Sequence, residues 1–186
     1  LANMSHEIRT PLSGIIGFTE LLQGTQLTAQ QKDYSNTIYK SSKHLLEIIN
    51  DVLDLSKIES GKTEINTSEF NLVDIIEDII NLLSTSALEK DIELLYRFDK
   101  DVPTIIHSDP FRIHQILTNL IGNAIKFTNK GHVAVRAQTG DYPNTIDFEV
   151  EDTGIGIPQE LQDRLFTAFA QADSTVQRLF GGSGLG

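Results

Sequence analysis

The sequence predicts two folds in one chain: a helical hairpin that pairs with a second copy into a four-helix bundle, then an α+β sandwich with its helices on one side of a sheet. Three observations predict this. From Ile8 to about Glu59, apolar or small residues recur in alternating steps of four and three, the stripe of a helix packed against other helices. At Ser60 and Gly61 the pattern stops and a polar connector follows. Beyond it, capped helical segments interleave with short strand-like runs, one of which alternates cleanly between apolar and acidic residues.

In chain order, Ile8, Leu12, Ile15, Thr19 and Leu22 form the first stripe, and Gly24 ends it. Thr28 and Gln31 make a capping box, after which Tyr34, Ile38, Ser41, Leu45, Ile48, Val52 and Leu55 keep the alternation. The second helix then has about 31 residues, roughly 46 Å, against about 23 in the first, so the first is expected to continue upstream of Leu1. A two-helix hairpin cannot bury both stripes alone, which makes a homodimer the expectation. Residues 1–61 are assigned to this hairpin, 62–69 to a linker and 70–186 to the second domain. There, Asn71 caps a helix to about Glu89, Ile92 to Phe98 reads as a strand, and Asp109 with Pro110 opens a helix to Phe127. On that helix Ile113, Ile116, Leu117, Leu120, Ile121 and Ala124 are expected to face the core. His132 to Ala137 and Thr145 to Glu151 read as a hairpin, with Ile146, Phe148 and Val150 on its buried face, and the strands of the domain read as antiparallel.

Charge and composition exclude several classes. The 15 basic and 26 acidic side chains give 186 residues a net charge of -11, so nothing favours sequence-independent binding to nucleic acid or an anionic membrane. The absence of cysteine removes disulfide scaffolds, thiolate catalysis and zinc fingers together. No apolar stretch approaches the ~20 residues of a membrane span. The chain reads as a soluble piece of something longer, since it lacks a leader-like start and ends inside a glycine cluster.

Four groups of residues carry possible chemistry. His6 lies about 200° round the helix from Ile8, away from the stripe, with Glu7 adjacent to orient or deprotonate it and Thr10 one turn on along the same face. Pro11 removes one backbone hydrogen bond beside it. By itself such a His-Glu pair is most often plain surface. After Pro110, Asn119, Asn123 and Lys126 fall within about 60° of one another, next to the apolar arc. Amide oxygens suit Mg²⁺ and an ammonium suits a phosphate, although a solvated polar face would look the same. Asp152-Thr153-Gly154-Ile155-Gly156 follows the alternating strand, where a carboxylate can accept from an exocyclic amine while glycines let a flat base approach. Gly181 to Gly186 offers backbone amides to phosphates, weak evidence alone. Two lookalikes fail. Ser60-Gly61-Lys62-Thr63 has Ser56 where a P-loop needs glycine, and Gly154-x-Gly156 meets Gln159 where a dinucleotide fingerprint needs its third.

Taken together, these runs resemble the transmitter core of sensor histidine kinases. Met4 to Leu12 is similar to the H box and Gln115 to Thr128 to the N box, while Asp152 to Gly156, Phe166 to Phe169 and the final glycines resemble the G1, F and G2 boxes. The H box wording, Lys57 to Lys62 and Phe169 to Asp173 are similar to hybrid kinases of the BarA and GacS type, which feed a phosphorelay. The resemblance implies that the second domain is an ATP-binding domain of the histidine kinase, chaperone and topoisomerase type, continuing past Gly186. It implies that His6 is the phosphoacceptor, Glu7 its base or orienter, and Thr10 a residue that can position water against a receiver aspartyl phosphate, the phosphatase reaction. It further implies that Asn123 holds Mg²⁺ with Asn119 in support, Lys126 meets phosphates and Asp152 accepts from adenine beside Gly154 and Gly156. Arg178 would reach the γ-phosphate, with Gly182, Gly184 and Gly186 flanking the phosphate chain. Phe127 stands where some relatives carry tyrosine. The implied partners are a second copy and a response-regulator receiver domain, with the fragment lying in the cytoplasmic portion of an inner-membrane sensor. An ATP-gated conformational module and a phosphatase-dominant sensor are the alternatives.

Overall fold

The computed structural model describes residues 2–61 and 63–162, with backbone alone for residues 2–6, 160 and 161. It divides into two compact units, one ending at Glu64 and one beginning at Ile65.

The first unit is a hairpin of α1 (Ala2–Gln23) and α2 (Ala29–Glu59). Gly24 closes α1, its N–H donating to the Glu20 and Leu21 carbonyls at 3.2 Å each. Thr28 opens α2 with a complete capping box: Gln31 N–H donates to the Thr28 hydroxyl at 3.3 Å, and Thr28 N–H donates back to Gln31 Oε1 at 3.0 Å. Ser60 caps the other end, and Gly61 follows with φ +64, the left-handed region that suits glycine.

The seam between the helices is narrower than the sequence stripes. Leu12, Ile16 and Thr19 are buried on α1, and Ser35 and Ser42 on α2. Two serines seven residues apart let the helices approach closely, so the intramolecular contact runs along them. Ile8, Ile15, Leu22, Tyr34, Ile38 and Leu45, expected in the packed stripes, are between 41% and 57% exposed in the single chain. One helix offers one partner only a narrow seam, and the rest of each stripe stays outside it.

In the second unit, β1 (Ser68–Asn71) pairs antiparallel with β3 (Ile105–Ser108). Ser68 and Glu69, assigned to the linker from sequence, therefore belong to a strand, and β3 has no counterpart in the sequence reading. Asn71 caps α3 (Leu72–Leu88) by accepting from Val73 N–H at 3.0 Å. Next come β2 (Ile92–Phe98), α4 (Pro110–Phe127), β4 (Gly131–Thr139), β5 (Ile146–Asp152) and a short α5 (Gln159–Gln162). The larger sheet has the order β2-β4-β5, and β4 pairs antiparallel with β5.

β2, however, runs parallel to β4, which corrects the all-antiparallel expectation. The connection between them contains α4, and a helical crossover returns the chain to the same end of the sheet. Ile76 and Ile79 of α3 and Leu117, Ile121 and Ile125 of α4 form one core with Val133 and Val135 of β4. A second cluster of Leu72, Val102 and Ala137, flanked by Phe70 and Ile106, joins the small sheet to it. Ile116 and Leu120, expected in the core, are 57% and 45% exposed. The buried arc of α4 sits about 180° from Asn119, centred on Leu117 and Ile121, and leaves those two on its flank.

Candidate functional site

In the first unit, His6, Glu7 and Thr10 lie in the opening turns of α1, with Pro11 inside the helix. Glu7 and Thr10 are exposed. The adjacent Arg9 donates to Asn50 Oδ1 of α2 at 3.1 Å, which ties this end of α1 to the hairpin.

In the second unit the site is built on α4. Asp109 is 5% exposed and holds the start of the helix: its Oδ1 accepts from Arg112 N–H at 3.0 Å and its Oδ2 from Asn66 N–H at 2.9 Å. These backbone donors, Arg112 first, hold its carboxyl below the usual carboxylate range. Leu117, Ile121, Ala124 and Ile125 anchor one side of α4 in the core, which turns the amide side outward. Asn119 is exposed there, while Asn123 and Lys126 are half-buried. Burial lowers the Lys126 pKa from its usual value, and its Nζ lies 5.3 Å from the Phe127 ring centroid.

The end of α4 meets the loop after β5. Ile155 N–H donates to the Phe127 carbonyl at 3.3 Å. Asp152 Oδ1 accepts from Gly154 N–H at 2.8 Å, folding the chain around the carboxylate at the strand end. A Cβ on Gly154 would stand 2.6 Å from the Phe127 oxygen, so only glycine allows this approach. Gly156, at φ +66, has open space where its Cβ would be. The structure thus brings Asp152, Gly154 and Gly156 to the end of the helix that carries Asn119, Asn123 and Lys126. Arg178, Gly182, Gly184, Gly186 and the Phe166 to Phe169 segment lie outside the described residues.

Two residues of this corner had no role in the sequence reading. Thr153 Oγ1 accepts from His132 N–H at 3.0 Å and sits where a side chain on Gly131 would stand, locking the loop to the start of β4. Lys90 Nζ donates to the backbone at the end of α4. Neither leaves a sequence signal, because the partners are distant backbone groups.

These residues fit a nucleotide and a hard divalent cation. The open backbone at Gly156 offers a surface for a flat base beside a carboxylate, and the half-buried Asn123 amide is a neutral oxygen ligand. Among the described residues no group of three or more His, Asp or Glu side chains could hold a metal unaided, so phosphate oxygens would have to complete its shell.

Residues 1–61 match the His Kinase A (phospho-acceptor) domain, and residues 108–186 match the Histidine kinase-, DNA gyrase B-, and HSP90-like ATPase. The chain is 49% identical over 189 aligned residues to the signal transduction histidine-protein kinase BarA of Escherichia coli strain K12, covering all of this chain and 21% of BarA. It therefore spans about a fifth of that relative's length. Full-length ShkA, crystallised in complex with AMPPNP, superposes with TM-score 0.80 at 37% identity, over 99% of this chain and 39% of ShkA. Histidine kinase ThkA in complex with response regulator protein TrrA gives TM-score 0.60 at 26% identity, over 96% of this chain and 52% of ThkA.

Proposed function

Since this chain belongs to the histidine kinases, carrying their phospho-acceptor domain and their ATPase domain, we propose that it autophosphorylates on His6 from ATP and passes the phosphoryl group to a receiver-domain aspartate. The observation that carries the ATP half is the meeting of α4 with the 152–156 loop, where Ile155 N–H donates to the Phe127 carbonyl. It gathers an amide and ammonium face, a strand-end carboxylate and an open glycine backbone at one corner.

In this reading Asp152 accepts from the adenine amine, and Gly154 and Gly156 let the base lie against the loop. Lys126 draws the phosphates: partial burial lowers its pKa, but it also reduces the screening between its ammonium and an anion. Asn123, supported by Asn119, would hold Mg²⁺, which when bound supplies the charge neutralisation that a protein of net charge -11 does not. Arg178 and the glycines Gly182, Gly184 and Gly186 belong to the phosphate end of the same proposal. A neutral His6 nitrogen donates its lone pair to the γ-phosphorus as the bond to the bridging oxygen breaks, and ADP leaves with that electron pair. The proton on the other ring nitrogen passes to Glu7. Transfer onward breaks the N–P bond and forms an O–P bond to the receiver aspartate, and the imidazole regains a proton. Thr10, exposed one turn from His6, would position water against the receiver's aspartyl phosphate, whose O–P bond breaks to release inorganic phosphate and the free carboxylate.

Residues 1–61 serve as the dimerisation and acceptor domain, and the ATP-binding domain follows a connector shorter than the 62–69 expected. The half-exposed Ile15, Leu22, Ile38 and Leu45 are the surface a second copy would cover. The receiver partner follows by analogy with ThkA, which was solved with a response regulator. No described helix is long and apolar enough to cross a membrane, and we place this chain on the cytoplasmic side of an inner-membrane sensor.

The test is incubation with labelled ATP. A phosphoramidate survives base and is lost in acid, so the label should do the same, and His6→Gln should abolish it. Persistent labelling of His6→Gln would refute the assignment.

A further inference from the structure

The last four carbonyls of a helix have no partner within it. At the end of α4 they are all satisfied, and the donors come from three places. The Ala124 carbonyl accepts from Thr128 N–H at 3.0 Å, the ordinary helical continuation. The Phe127 carbonyl accepts from Ile155 N–H of the 152–156 loop at 3.3 Å. The Ile125 and Lys126 carbonyls accept from Lys90 Nζ at 2.8 and 2.7 Å, and the same ammonium reaches the Thr128 carbonyl at 3.2 Å. An ammonium has three N–H donors, and here each has a backbone oxygen. A positive charge at a helix C-terminus is also favoured by the helix dipole.

Lys90 arrives from the turn between α3 and β2. Its N–H donates to the Ala87 carbonyl at 3.1 Å, and Asp91 follows at φ 56, a left-handed conformation that aspartate tolerates better than most residues. That turn sends the backbone into β2 while the lysine side chain stays under the end of α4.

We propose that Lys90 is a positioning residue for nucleotide binding: by holding the last turn of α4, it sets both Lys126 and the carbonyl from which the 152–156 loop hangs, without touching the nucleotide. This rests on the ATP reading of that corner. Without the ammonium, three carbonyls lose their partner at once and the last turn opens toward water. The Phe127 carbonyl then no longer presents a fixed acceptor to Ile155.

The chain contains no cysteine, so Lys90→Cys introduces a single thiol that 2-bromoethylamine converts to a lysine isostere with its ammonium restored. Two measurements are read before and after alkylation: ATP affinity by calorimetry, and amide hydrogen exchange at Thr128 and Ile155. The expected result is a loss of about tenfold in affinity, the usual scale for a supporting partner, and exchange at both amides faster by about tenfold, each reversed by aminoethylation. Unchanged protection at Ile155 in Lys90→Cys overturns the proposal whatever ATP does. Lost affinity that aminoethylation does not restore, with protection regained, also overturns it. If the unsubstituted chain binds no ATP yet its Ile155 amide is protected in a Lys90-dependent way, the ATP reading fails and the clamp stands alone. Should Lys90→Cys fold only once alkylated, Lys90→Arg is read instead. Its planar fork cannot converge on three carbonyls, and wild-type exchange in that variant counts against the proposal.

Discussion

Replacing Gly154 with alanine tests the corner most directly. The added Cβ would stand 2.6 Å from the Phe127 oxygen, 2.9 Å from its carbonyl carbon and 2.8 Å from Asp152 Oδ1, against 3.4 Å or more in ordinary contact. The first two neighbours are backbone atoms of an anchored helix turn, so the loop has to move, by roughly 0.8 Å if the helix holds. That carries the Ile155 N–H donor from 3.3 Å to beyond hydrogen-bonding distance of the Phe127 carbonyl. One lost bond costs about 1 kcal/mol and overpacking about 1–3 kcal/mol, together about 2–4 kcal/mol. If the loop moves as a unit, this falls on nucleotide binding as a loss of roughly thirtyfold or more in ATP affinity. If the fold absorbs it instead, the melting temperature drops by several degrees. Calorimetric ATP titration and thermal unfolding by circular dichroism separate the two. Gly156→Ala is the control for thermal unfolding alone, because its φ of +66 is strained for alanine by about 1 kcal/mol but no protein atom lies within 4 Å of the new methyl. The reasoning is refuted if Gly154→Ala binds ATP and melts like the unsubstituted chain.

Two further outcomes are expected. Asp109 is held below the usual carboxylate range by backbone donors, so its contribution to stability is complete above about pH 4 and is lost as pH falls through the lower, folded value. Asp109→Asn should therefore melt below the unsubstituted chain at pH 7, and the two melting temperatures should converge under acid; a gap that does not change with pH would show that the charge is not the cause. In the hairpin, Leu45 is 46% exposed in the single chain, so Leu45→Glu should leave helicity intact while converting a dimer to a monomer in light scattering. A dimer that survives this change would place the second copy on another face.

The sequence alone determined those elements whose limits are written in neighbouring residues. Asn71, Asp109 with Pro110, Gly24 and the Thr28–Gln31 box mark helix ends through hydrogen bonds that span a few positions, and the structure has its helix ends there. The 146–152 strand was legible from its alternation, and the amide face of α4 from helical spacing. Tertiary structure decided everything that depends on a partner distant in the chain. β3 is four residues long and pairs with β1, the partners standing from 34 positions apart at Asn71 and Ile105 to 40 at Ser68 and Ser108, so no local pattern announces it. The parallel pairing of β2 with β4 depends on the path of α4 between them. Ile116 and Leu120 look like core on a helical wheel, but which arc of a helix is buried depends on the sheet it meets. Ser35 and Ser42 make the hairpin seam although apolar neighbours look better suited, because close approach of two backbones favours small side chains. Lys90 shows the limit most plainly. Its partners are carbonyls 35, 36 and 38 positions further on, and every residue type carries the same carbonyl, so its role is invisible until folding brings the end of α4 above it.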